Sequence, residues 1–415
     1  VVGATRVLEV IHKSEILAKK VDELITQEVR TSEEKAAKKL QVAYRRFVMD
    51  LCGHALDSIP PEDESLEEHT NEAGVLQGVG EYRFKATLGT GSFGSVFLCD
   101  CPTSQGRVMK VIMKGSVSNA TVLLALDREL QIMRHLQAHP NVVKAFAVMN
   151  TKRHICCVME YAGQLNLHGF TKVMLQRTNA KCLPDHLVQA FSRQQAVGVA
   201  HLHSALVCHR DLKPGNWVVN DAADTLRLTD FGFAAQLTAA DQLLKQACGS
   251  LPFCAPEVYC RGYHCARDVS RPGYNGLACD CWSLGLCFVE LASGGLYSVE
   301  CLLQWSSKPG REDQVLRDLR RLEILWAEMP KAKVRGGKGL TELISKLLVV
   351  DPEQRLSAGQ VVAGLGLALE AKPPRGGPGK QFSRSTSNVE QKASEMPLVE
   401  RLGGEHVARQ VLLWA

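Results

Sequence analysis

The chain has 415 residues, 45% of them hydrophobic, which is enough for a large core spread over two or three folding units. Its formal charge of +5 is mild, and the basic residues are mixed with acidic ones, which argues against nucleic acid as the main ligand. Fifteen scattered cysteines with no CxxC pair suit a reduced compartment better than a disulfide scaffold, and no apolar run reaches the ~18 residues of a membrane span.

From about residue 5 to 29, Val7, Val10, Leu17, Val21 and Leu24 recur at helical spacing, with charged residues between them. Thr31 with Glu34 three residues on forms a capping box, and Leu40, Ala43, Phe47 and Leu51 line one face of the helix it starts. Residues 1–53 therefore read as a helical hairpin. Polar Ser14 and Glu28 interrupt its apolar seam, which favours an extension packed on its own domain over a dimerising coiled coil. Residues 54–80 begin with Pro60 and Pro61 and are rich in Asp and Glu, the composition of a mobile acidic linker.

Sheet-like alternation begins at Tyr82 and runs into Gly89-Thr90-Gly91-Ser92-Phe93-Gly94-Ser95-Val96. A GxGxxG alone also occurs in dinucleotide-binding folds, where it opens a helix. Here alternation resumes after it, so the motif reads as the turn of a strand hairpin, with glycines that let the backbone approach phosphates closely. The next strand carries Lys110 among apolar neighbours, where a charge is costly unless paired. Its expected partner is Glu129 in the helical run 126–136, and Lys114, on the same strand face, is the rival cation. His139-Pro140-Asn141-Val142-Val143 reads as the opening of a strand, 155–159 as another, and 187–206 as a helix.

Residues 209–216, His-Arg-Asp-Leu-Lys-Pro-Gly-Asn, place an acid, a cation and an amide in a span too short for a helix. Asp211 can accept a proton from a hydroxyl, Lys213 can neutralise charge on a group in transfer, and Asn216 can offer a carbonyl oxygen to a hard cation. Such a set suits phosphoryl transfer, where catalysis is mostly positioning and charge neutralisation. A strand at 226–229 leads into Asp230-Phe231-Gly232, and Ala255-Pro256-Glu257 follows. Cys254, Cys260, His264 and Cys265, with Cys279 and Cys281, match no common zinc module and read as ordinary thiols. Asp280 in an apolar helical run requires donors. Residues 372–398 have a disordered composition, and 399–415 can form a short amphipathic helix.

In order and spacing, these segments resemble the protein-kinase signature set over about residues 82–370, and Asp-Leu-Lys-Pro-Gly-Asn resembles the serine/threonine type. The resemblance implies an α+β, two-lobed kinase-like fold: a domain over 81–371 with a β-rich N-lobe (81–159), a hinge (160–163) and a mostly helical C-lobe (164–371). It implies ATP and Mg²⁺ as cofactors. Leu88, the glycine-rich residues Gly89 to Gly94 and Val96 would cover the nucleotide, and Lys110 with Glu129 would orient its phosphates. Met159 would lie behind the adenine, with Glu160, Tyr161 and Ala162 in the hinge. Asp211 and Lys213 would be catalytic, and Asn216 and Asp230 would hold metal. Arg355 in Asp-Pro-Glu-Gln-Arg would pair with Glu257, and Asp280 would take donors from the 209–216 backbone. The implied partner is a protein with a Ser or Thr acceptor, with self-association or a regulator at the N-terminal helices, no nucleic acid and no membrane span; the expected location is cytoplasmic, the nucleus being the alternative.

Two departures from the family pattern stand out. Gln246 and Ala247 occupy the usual activation-segment phosphosite, which weakens activation by phosphorylation there, and neutral Gln164 and Gly215 argue against a strong Arg preference in substrates. The rival function is a catalytically silent pseudokinase serving as scaffold or nucleotide-dependent switch. A small-molecule kinase on a related fold is the third reading. Retention of Lys110, Asp211, Asn216 and Asp230 favours the enzyme.

Overall fold

The computed structural model describes residues 59–91, 94–103, 106–116, 120–258, 273–293, 317, 326 and 335–367. The expected hairpin at 1–53, the tail at 372–398, the helix at 399–415, Ser92, Phe93, Cys260, His264 and Cys265 lie outside them. The first lobe is a seven-stranded antiparallel sheet of β1 (Glu68–Thr70), β2 (Leu76–Val79), β3 (Tyr82–Gly91), β4 (Gly94–Asp100), β5 (Arg107–Met113), β6 (Ala145–Asn150) and β7 (His154–Glu160), in the order β1-β2-β3-β4-β5-β7-β6. Helix α1 (Ala120–His135) packs on one face. Period-two alternation decides which side chains go where. Met109, Val111, Cys156 and Val158 join Val79 and Cys99 in a small outer core, whereas Val108, Ile112, Ile155, Cys157 and Met159 face inward with Leu126, Leu130 and Met133 of α1.

Two expectations fail in this lobe. The described part of the acidic linker is not a spacer. It supplies β1 and β2, and Ile59 is buried in the main core. Two of its acidic residues, Glu62 and Glu68, are anchoring groups. Glu68 receives hydrogen bonds from Thr151 and from Arg153 Nε (2.6 Å), and lies 2.8 Å from His154 Nδ1. Burial raises the Glu68 carboxyl, but these hydrogen bonds outweigh it and pull it down to about 2. The second failure is at His139, where no strand begins. Val142 forms only an isolated bridge to Leu228, and β6 starts at Ala145, because the Asn141 carbonyl and the Val143 N–H are both spent on the Leu228 backbone (2.9 Å each).

The second lobe is helical: α2 (Leu167–Thr178), α3 (Asp185–Ser204), α4 (Gly276–Ser293), α5 (Gly337–Leu347) and α6 (Ala358–Gly364). Two of the starts have a clear local cause. Asn166 caps α2 through Gly169 N, and Ser357 with Gln360 forms a capping box at α6. Trp217, Trp282, Phe170, Phe191 and Phe288 fill the core between the helices. Gly285 lets α4 and α5 approach closely, since a Cβ there would lie 2.9 Å from that of Leu347. By length and composition α4 could cross a membrane, contrary to the expectation that no run is long enough. It is instead the central core helix, with Trp282, Leu284, Leu286 and Phe288 fully buried. Short strands β8 (Leu165–Asn166), β10 (Trp217–Val219) and β11 (Leu226–Leu228) form a three-stranded sheet at the edge of this lobe. β9 (Val207–Cys208) pairs with β12 (Ala235–Gln236), and β13 (Leu243–Leu244) with β14 (Tyr274–Asn275). The described cysteines are free, and all but Cys182 and Cys248 are buried.

Candidate active site

The glycine motif is the turn between β3 and β4, with Gly89 opposite Val96, Thr90 opposite Ser95 and Gly91 opposite Gly94. Gly94 is irreplaceable on steric grounds. Its φ is +144°, and a Cβ would fall 2.2 Å from the Val111 carbonyl oxygen. Leu88 and Val96 pack on the main core. The β4–β5 register sets Val96 beside Lys110, and the β5–β7 register sets Val108 beside Met159.

Lys110 donates to Glu129 Oε1 at 2.6 Å, with both side chains largely buried. Burial alone would depress the Lys110 ammonium, but Glu129 and then Asp230 outweigh it and raise its pKa. The competing Lys114 pairs elsewhere, with Glu62 at 2.9 Å. Gly232 lies between the two acids: a Cβ on it would meet Asp230 Oδ1 at 3.4 Å and Glu129 Oε2 at 3.9 Å.

The second half of the site hangs from α4. Asp280, fully buried, accepts the backbone N–H groups of His209 and Arg210, both at 2.7 Å, and His203 Nε2–H at 3.1 Å. His209 Nε2–H donates to the Thr229 carbonyl (3.1 Å), and its Nδ1 accepts the Asp211 N–H (3.3 Å), which fixes the tautomer. The ring also stacks edge-on against buried Phe231. Thr229 N–H bonds to the Asn216 carbonyl at 2.9 Å, so Asp230 follows Asn216 directly in space; its φ of +65° turns the chain there.

Asp211 is buried and crowded on one side only. Asn216 Nδ2 donates to its carbonyl oxygen (2.8 Å) and to Oδ2 (3.1 Å), and Lys213 Nζ lies 3.0 Å from Oδ2 and donates to Ser250 Oγ (2.7 Å). Oδ1 is buried without a hydrogen-bond partner among the described residues. A carboxylate oxygen left in that state is costly, so it marks a place where a ligand group belongs. Asn216 directs both of its donors at Asp211, which turns its carbonyl oxygen the other way.

Beyond the loop, Arg210 Nε donates to the Phe233 carbonyl (2.6 Å), and Nη1 reaches Tyr274 Oη (3.2 Å) and the Gln246 carbonyl (3.3 Å). Tyr274 Oη donates to the same Gln246 carbonyl at 2.6 Å. Arg355, its side chain wholly buried, holds Glu257 at 2.7 and 3.2 Å and also caps carbonyls of Val349, Val350 and Ala278. At the hinge, Glu160 N–H donates to the Lys144 carbonyl and its side chain takes Arg227 at 2.7 Å, while Tyr161 N–H donates to Gly106. Ala162 is buried in the main core. The structure thus gathers Lys110, Glu129 and Asp230 in one group and Asp211, Lys213 and Asn216 in another, joined by the Thr229–Asn216 bond. The residues that the sequence did not flag are His203 and Tyr274, whose partners lie 77 and 28 positions away.

The protein kinase domain model matches residues 82–364. This chain belongs to the eukaryotic-type serine/threonine protein kinase family. It is 31% identical over 307 residues to CBL-interacting serine/threonine-protein kinase 16 of Arabidopsis thaliana, covering 71% of this chain and 58% of that one. It is 31% identical over 299 residues to serine/threonine-protein kinase GIN4 of Saccharomyces cerevisiae, covering 68% and 24%. A third relative is CBL-interacting protein kinase 26 of Oryza sativa, 31% identical over 281 residues, covering 66% and 50%. The matched part of the kinase chain spans between about a quarter and three-fifths of these relatives' lengths.

Proposed function

We propose that this kinase transfers the γ-phosphoryl group of ATP to Ser or Thr hydroxyls of proteins, assisted by Mg²⁺. The observation that carries the reading is the unsatisfied Asp211 Oδ1, held in place by Asn216 and Lys213 while the Lys110–Glu129 pair is closed. A silent scaffold gains nothing from a buried carboxylate oxygen with no partner.

Each side chain then has a task. Asp211 Oδ1 orients the acceptor hydroxyl and takes its proton, and Lys213, bridging to Ser250, offsets the negative charge on the group in transfer. Lys110, charged because Glu129 and Asp230 surround it, binds nucleotide phosphates, and the backbone of Gly89, Gly91 and Gly94 closes over them. Asp230 and the Asn216 side-chain Oδ1 are the hard oxygen donors for Mg²⁺. Bound there, the ion would neutralise charge on the phosphate oxygens. Met159, Glu160 and Ala162 line the adenine side. Neutral Gln164 and Gly215 favour substrates without a required basic residue.

The test is labelled-ATP transfer to generic protein acceptors by the full chain and by Asp211→Asn. The variant should lose about 100-fold or more, with nucleotide affinity kept, because the general base is removed while an oxygen acceptor stays in its place. A parent chain that binds nucleotide yet labels no protein would make the molecule a nucleotide-dependent switch instead.

A further inference from the structure

Helix α1 has two sides, and the ion pair with Lys110 accounts for one. Glu129 faces Lys110, and Asp127, two residues earlier and so on roughly the opposite side of the helix, is also buried. Asp127 Oδ1 accepts the backbone N–H of Ile59 at 3.1 Å, and the Ile59 side chain joins the core that contains Leu126, Leu130 and Met133 of the same helix. A short stretch of backbone thus grips α1 from behind.

That stretch is tied down along its length. Asn150 Nδ2 donates to the Pro60 carbonyl (2.8 Å), and Asp63 N–H donates back to the Asn150 carbonyl (2.8 Å). Glu62 pairs with Lys114, which follows the Lys110 strand directly. Glu68 is then locked to the β6–β7 turn through Thr151, Arg153 and His154. The two prolines stiffen the start of the segment, since each fixes φ.

We propose that residues 59–68 are a positioning strap for Glu129, with Asp127 and Ile59 as the contact that transmits it. The strap holds α1 against the sheet so that Glu129 reaches Lys110. This rests on the catalytic reading of Lys110 and Glu129 given above. Asp127 and Ile59 are positioning residues: neither touches the nucleotide side of the helix. The two sides of the helix differ in what they require. Lys110 requires a charge, whereas the Ile59 N–H requires an acceptor oxygen.

Amide hydrogen exchange and labelled-ATP transfer, measured together on the full chain, separate this from the catalytic reading. Asp127→Ala should speed exchange across α1 by about 10-fold or more while the α3 and α4 amides stay unchanged, and should lower transfer by a similar factor. Asp127→Asn keeps the acceptor oxygen and should restore both to near the parent values. Unchanged α1 exchange in Asp127→Ala, or an Asp127→Asn variant as loose as Asp127→Ala, would overturn the strap. If Asp127→Ala loosens the whole sheet, Ile59→Ala decides: faster exchange confined to α1 supports the strap, and no change in α1 refutes it. Faster α1 exchange in Asp127→Ala alongside a parent that transfers no phosphate would uphold the strap and sink the catalytic assignment alone.

Discussion

His203 is a largely enclosed histidine, its side chain 11% exposed, whose charge should hold the catalytic loop in place, and its titration can be read as stability. Burial works against its protonation, but the hydrogen bond to Asp280, with Cys281 beside it, wins and raises the pKa from 6.5 to about 9. A group whose folded pKa lies above its unfolded one adds stability that is complete below the unfolded value, near 6.5, and is lost as pH rises through the folded value, near 9. At about 1.36 kcal/mol per pH unit, the gap corresponds to about 3 kcal/mol. His203→Gln keeps an N–H for Asp280 and removes the titration. Denaturant unfolding followed by tryptophan fluorescence, to which buried Trp217 and Trp282 contribute, should show the parent losing about 3 kcal/mol more than the variant between about pH 6 and pH 9.5. At about pH 6 the variant should be the less stable of the two. Parallel losses in the two proteins would refute the picture of a charged His203 bonded to Asp280.

Two further substitutions test the parts that hold the activation segment. Tyr274→Phe removes the hydroxyl shared by Arg210 and the Gln246 carbonyl, a hydrogen bond to a charged group worth about 2 kcal/mol. Limited proteolysis between residues 238 and 250 should accelerate several-fold, and an unchanged rate would mean that the β13–β14 pairing alone holds the segment. Arg355→Met leaves Glu257 and three carbonyls without their donor and should destabilise the helical lobe by about 3 kcal/mol, seen as a lower denaturation midpoint.

The chemistry of this chain is written locally, and its support is not. Residues 209–216 could be read as a phosphoryl-transfer loop because acid, cation and amide must sit within one short turn, and Lys110 could be matched with Glu129 because an interior lysine demands a partner. The sequence could not show that Asp127 faces Ile59 or that His203 meets Asp280, since those contacts join residues 68 and 77 positions apart and neither side carries a distinctive pattern. Residues 59–80 misled for a different reason. Their acidic, proline-rich composition is that of a solvated spacer, yet here Glu62 and Glu68 are each consumed by a basic partner on the sheet. Strands of three and four residues such as β1 and β2 are also too short to show alternation.

The buried thiols carry a practical consequence. Cys99, Cys156 and Cys157 in the sheet and Cys208 in the helical lobe are pushed up to about 12 by burial, so none is nucleophilic while its surroundings stay closed. At these four positions alkylating reagents therefore read breathing and not chemistry. Labelling of Cys156 times the opening of the outer core, labelling of Cys157 times the parting of the sheet from α1, and labelling of Cys279 or Cys287 times the release of α4, without any engineered probe.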